Sequence, residues 1–98
     1  MHPSQAIAFE WDEGNERELA RHHVTAEEVE QVFLTDHPLW ARNRRGRSGE
    51  WLMVGVTTGG RLLTVVIRMK DDGDTLRAIT GWDSATGERT QYLSKRRR

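Results

Sequence analysis

Cysteine is absent from the 98 residues, which excludes disulfides and thiolate chemistry outright. No apolar run approaches the roughly 20 residues needed to cross a bilayer. The opening residues, Met1-His2-Pro3-Ser4-Gln5, lack the basic-then-apolar layout of a secretion signal. The expectation is therefore a soluble cytoplasmic protein with no membrane partner. The chain also has no net charge, and a hydrophobic fraction of 36% supports one modest core in a single domain over 1–98. No spacing of histidines and acids suggests a zinc site, and no cofactor is implied.

What the chain does have is an uneven distribution of charge. Residues 1–36 hold nine acids and two bases, whereas residues 37–98 hold thirteen bases and six acids. Asymmetry between halves is one compositional hint of nucleic-acid contact. Two solvated faces that satisfy each other account for it equally well.

The hydrophobic pattern predicts an α+β domain. Phe9-Glu10-Trp11 reads as a short strand, and Asp12 as the cap of a helix over 13–22. Thr25 followed by Glu28 fits a capping box, with Val24 and Val29 placed for a hydrophobic staple. Val29, Val32 and Phe33 then repeat at helical spacing, and Asp36-His37-Pro38 ends that helix. Residues 50–57, 61–70 and 75–82 alternate as strands joined by Thr58-Gly59-Gly60 and Asp71-Asp72-Gly73-Asp74, the signature of an antiparallel meander. Leu63, Val65, Ile67 and Met69 share one face of the middle strand and Thr64 and Arg68 the other. The sheet is thus expected to carry helices on one side and open to water on the other. Residues 39–47 form either an edge strand or a basic loop. Residues 84–93 read as a closing helix, and 95–98 as a frayed basic tail.

Several residues in this order carry a likeness: Phe9-Glu10-Trp11-Asp12, Asn15, Arg21-His22-His23-Val24, Glu27-Glu28-Val29-Glu30-Gln31-Val32-Phe33, Gly55, Gly60-Arg61-Leu62-Leu63, Val65-Val66, Arg77-Ala78-Ile79-Thr80, Glu88-Arg89 and Tyr92. Together they resemble the BrnT family of type II toxin–antitoxin toxins. The resemblance implies a RelE-like fold, a small antiparallel sheet with two N-terminal helices and one C-terminal helix packed on it. It also implies an endoribonuclease that cleaves RNA and halts translation. The implied partner is a DNA-binding antitoxin of the BrnA type, with an antitoxin dimer bridging two toxins in a heterotetramer. Three positions depart from the family. His23 stands where BrnT-like chains usually have Gly, Val56 where Arg often follows Gly55, and Trp82-Asp83 where one or two arginines are frequent.

Metal-free RNA cleavage needs a base for the 2′-hydroxyl, a cation for the charged transition state and an acid for the leaving oxygen. Arg61 and Arg77 match family positions on strands and are candidate phosphate clamps, since a guanidinium binds phosphate bidentately and keeps its charge. The alternative for each is an ion pair with a neighbouring acid, and alternation leaves the direction of Arg77 open. Arg42, Arg44, Arg45 and Arg47, interleaved with Trp40 and Trp51, resemble a groove that tracks an RNA backbone; a basic loop or an antitoxin-facing surface fits the same pattern. His22 is either an acid–base group or a charge at a helix end. Asp83 is either a general base or the cap of the last helix, and Trp82 either stacks on a base or packs on the sheet. Three functions follow: the toxin ribonuclease, a related module that binds RNA or an antitoxin without cleavage, and a nucleic-acid-binding regulator. The last ranks lowest because no recognition helix is evident.

Overall fold

The computed structural model describes residues 2–35, 38–44 and 50–96. After a 3-10 turn over Pro3–Gln5 come β1 (Ala8–Glu10), α1 (Glu13–Ala20) and α2 (Ala26–Leu34). The sheet strands β2 (Leu39–Arg42), β3 (Glu50–Val56), β4 (Leu62–Met69) and β5 (Thr75–Asp83) follow, and α3 (Thr86–Arg96) closes the chain. One five-stranded sheet has the order β1-β5-β4-β3-β2. The meander is antiparallel as its turns require, while β1 lies parallel to β5, so the sheet is mixed. A parallel partner cannot follow its neighbour through a tight turn. Here the whole of α1, α2 and β2–β4 intervenes.

Both N-terminal helices start where their side chains dictate. Asp12 caps α1 by accepting from the Asn15 N–H, and Asn15 returns the bond to the Asp12 N–H. Thr25 and Glu28 make the same reciprocal pair for α2. Val24 and Val29 are both buried, as the staple demands. Leu19, Val24, Val29 and Val32 then meet Met53, Leu63, Val65, Ile67, Leu76 and Ala78 in the main core. Gly55 permits the close approach of α2, since a Cβ there would lie 2.9 Å from Val32 Cγ1.

The second face of the sheet departs from expectation. It is not open to water along its length: Val54, Leu62, Thr64 and Val66 are all buried. The cause is α3, whose Tyr92 folds back and packs with Val54 and Leu62. Among the described residues that β4 turns to that face, Arg68 at its far end is the exposed one.

A register shift also settles the direction of Arg77. Val66 pairs with Thr80 but Ile67 with Ala78, so Ile79 is an extra residue in β5. Leu76 and Ala78 both face the main core. Arg77, between them, therefore belongs to the opposite face.

His23 is the single non-glycine residue with positive φ among the described residues, at 60°. The left-handed region costs an L-residue roughly 1–2 kcal/mol because Cβ approaches a carbonyl oxygen. Replacement His23→Gly is expected to raise stability by about 1 kcal/mol after the entropy of glycine is counted. Urea unfolding measures this, and an unchanged or lower midpoint contradicts the strain assigned to this corner.

Candidate functional site

Arg61 stands at the mouth of the β3–β4 turn, where its own N–H donates to Thr57 Oγ1. Its guanidinium reaches three other parts of the chain. Nε and Nη2 donate to the two carboxylate oxygens of Asp83 at 2.7 and 3.2 Å. Nη1 donates to Glu28, at 3.1 and 3.2 Å from its two oxygens, and to the His23 carbonyl at 2.6 Å. Nη2 also donates to the His22 carbonyl at 3.3 Å. A guanidinium has five N–H donors, and this set of oxygens occupies the whole fork. Hydrogen bonds from Arg61 hold the Asp83 carboxyl below its ordinary value. The same Asp83 contact, followed by Glu28, raises Arg61 further against the opposing effect of burial. Asp83 is the last residue of β5 and two positions short of the residue before α3, so its carboxylate serves Arg61 and not a helix cap.

His22 and His23 sit on the corner that Arg61 grips. His22 Nε2 lies 3.4 Å from Glu18 Oε2 one helical turn back. Thr80 Oγ1 donates to that same oxygen at 2.9 Å, and Arg21 Nη1 lies 3.2 Å from Glu18 Oε1. Thr80 is the main cause of the lowered Glu18 pKa, with Arg21 and His22 adding to it. The result is an ionised carboxylate that positions a half-exposed imidazole, the arrangement a general acid–base group requires.

Arg77 lies elsewhere. Its Nη1 donates to Glu10 Oε1 at 3.0 Å and to Asp12 Oδ2 at 2.7 Å, and its Nη2 to Asp12 Oδ1 at 3.1 Å. Lys70 also pairs with Glu10. Because Leu63 pairs with Asp83 and Arg68 with Arg77, the Arg61 and Arg77 clusters stand about five residues apart along β4, roughly 17 Å. The two candidate phosphate clamps are separate ion-pair centres.

Of the basic segment, Arg42 ends β2 and lies 4.0 Å over the ring of Trp51, its cross-strand partner. The His2 ring meets Trp51 and Trp40 edge-on, with centroids 4.9 and 5.8 Å apart. Residues 39–42 are thus an edge strand. Arg44 is exposed in the turn after it, and Arg45 and Arg47 lie outside the described residues. Trp82 is half-buried on β5 beside Thr64, on the face that α3 partly covers.

Sequence reasoning missed Glu18, Thr80 and Arg68. The Glu18–His22 spacing of four on a helix was a readable signal. Thr80 and Arg68 owe their places to the sheet register and had none. Among the described residues no group of three or more metal-ligating side chains converges. Among the same residues no helix is long and apolar enough to cross a membrane. Comparison of the chain with protein families and with curated proteins finds no match.

Two outcomes check these assignments. Arg61→Ala takes the guanidinium from Glu28, Asp83 and two carbonyls, and is expected to cost about 2–3 kcal/mol in urea unfolding. Arg61→Lys should recover only part of this, because an ammonium cannot span the same oxygens; full recovery contradicts the bridging role. The Asp12 carboxyl is held at about 2, below its usual 3.8, chiefly by hydrogen bonds from Arg77. Since the folded value is the lower one, its contribution is complete above about pH 4 and is lost as pH falls towards 2. Asp12→Asn, which keeps a capping oxygen, should flatten the fall of Tm between those limits.

Proposed function

We propose that the chain is the toxin of a type II toxin–antitoxin pair, a BrnT-like cytoplasmic endoribonuclease that cleaves RNA without a metal and is restrained by a BrnA-type antitoxin. One observation carries this reading. Residues quoted for the BrnT resemblance lie far apart in sequence yet meet in space, Glu28 and the His22–His23 corner on Arg61, and Glu10 and Asp12 on Arg77. The corner residue forced into the left-handed region, His23, is also the one that stands where BrnT-like chains usually have glycine. A chance likeness has no reason to place its glycine at that backbone position.

In this reading His22, set by Glu18, performs one of the proton transfers of 2′-hydroxyl attack and 5′-oxygen departure. Arg61 is a positioning residue that fixes the two histidine carbonyls. Its donors are consumed, so the RNA backbone is met by cations that retain free donors, beginning with Arg42 and Arg44. Trp51 supports Arg42 there, its ring lying 4.0 Å beneath the guanidinium.

The filled fork of Arg61 also supports a second reading, a module that binds RNA or an antitoxin and does not cleave. Purified protein incubated with single-stranded RNA in EDTA separates the two. The ribonuclease reading expects fragments, growth arrest on induction, and a loss of about 100-fold or more in rate for His22→Ala. Glu18→Gln should reduce the rate and shift its pH profile while leaving RNA affinity in place. Intact RNA with the wild-type chain, at concentrations where RNA is bound, defeats the enzyme and leaves the binding module.

A further inference from the structure

Four charged residues form a row across the sheet where the face covered by α3 becomes exposed. Glu50 on β3 is opposite Arg68 on β4, Arg68 is opposite Arg77 on β5, and Arg77 is beside Glu10 on β1. Two arginines directly opposite each other repel, and such pairs destabilise a sheet unless an anion lies between them. Glu10 and Asp12 neutralise Arg77. Glu50 is buried and accepts a hydrogen bond from Asn43. Arg68 is exposed, and among the described residues its guanidinium has no ion pair or hydrogen bond.

A cavity of about 210 Å³ opens at this point, lined by Glu10, Arg68, Met69, Lys70, Asp71 and Arg77. It is several times the roughly 30 Å³ that one water takes up in the liquid. Its walls offer three cations against two carboxylates. One of those carboxylates, Glu10, is shared by Lys70 and Arg77. An anion entering the cavity can take over Lys70 and Arg77 from Glu10 without stranding either cation. It also supplies Arg68 with the partner that the fold does not.

We propose that Arg68, Lys70 and Arg77 form a phosphate-binding subsite in which Glu10 is the resident counter-ion that a phosphate displaces. The proposal rests on the reading of the chain as an RNA-binding protein and assigns one backbone phosphate to this cavity. It lies on the opposite face of the sheet from the Arg42–Trp51 stack, so an RNA strand that uses both passes around the end of the sheet. Free phosphate shares the chemistry and is the other possible source of the anion.

Binding of a labelled, 2′-O-methylated single-stranded 12-mer, which cannot be cleaved by 2′-hydroxyl attack, reads the site without any turnover. Fluorescence anisotropy over a salt series is expected to give Arg68→Ala an affinity about 5–10-fold weaker, with the salt slope reduced by about 1. Glu10→Gln, which removes the competing charge, should bind several-fold tighter. Arg68 is exposed and faces a like charge across the strands, so Arg68→Ala is expected to keep at least the wild-type Tm. If Glu10→Gln proves unstable, Arg68→Ala decides alone.

Wild-type affinity and salt slope in Arg68→Ala overturn the subsite and leave the RNA-binding reading standing. Titration with inorganic phosphate forms the second arm. Phosphate binding that depends on Arg68, in a chain that does not bind the 12-mer, keeps the subsite and ends the RNA reading. Absence of both kinds of binding ends both.

Discussion

A single guanidinium holds four pieces of this chain in register. Arg61 joins the start of β4 to the end of β5, to the first turn of α2 and to the corner between α1 and α2. Arginine suits the place because its donors diverge in one plane, and no ammonium can address two carboxylates and two carbonyls at once. The same geometry that makes it a good brace makes it a poor phosphate clamp here, since phosphate would need the donors already in use. At Arg61 the donors serve the fold.

The charge asymmetry along the chain has the same resolution. Acids of the first third meet bases of the sheet at Glu28–Arg61, Glu10–Arg77, Glu10–Lys70 and Asp12–Arg77. These contacts span at least 33 residues in sequence. Opposite charges placed in opposite halves therefore fasten the helical layer and β1 to the meander. The basic excess available to a partner is smaller than composition suggests. Among the described residues its clearest members are Arg42, Arg44 and Arg68, which take no part in those pairs.

Features fixed by neighbours in sequence were legible beforehand, and those fixed by distant contacts were not. Both N-terminal helix starts followed from local side chains, Asp12 as a cap and Thr25 with Glu28 as a capping box, and Asn15 proves to complete a second box. The meander strands followed from alternation and turns. By contrast, β1 joins the sheet beside β5 across more than sixty residues, and no local pattern records that pairing. The extra residue at Ile79 reverses the side on which later residues of β5 fall, so alternation alone left the direction of Arg77 open. The cover provided by α3 was hidden for another reason. The helix is largely exposed and polar, and Tyr92 is its buried anchor, a signal too small to show that a whole face is occupied. The grouping of the candidate residues was not legible, because it depends on which end of a strand each occupies.

The left-handed residue at the α1–α2 corner has a consequence for the proposed chemistry. Glycine would relieve the strain at position 23, yet histidine occupies it, next to another histidine. The tight turn sends the two side chains towards different carboxylates. His22 approaches Glu18 at 3.4 Å, and the charge of His23 contributes to the lowered pKa of Asp83, after the larger effect of Arg61. Cleavage of RNA without a metal requires one group to remove a proton and another to return one. Arg61 holds the carbonyls of both histidines and so fixes the corner that carries them. In the ribonuclease reading, the brace of the fold therefore acts on the reaction through the backbone, with no contact to the phosphate itself.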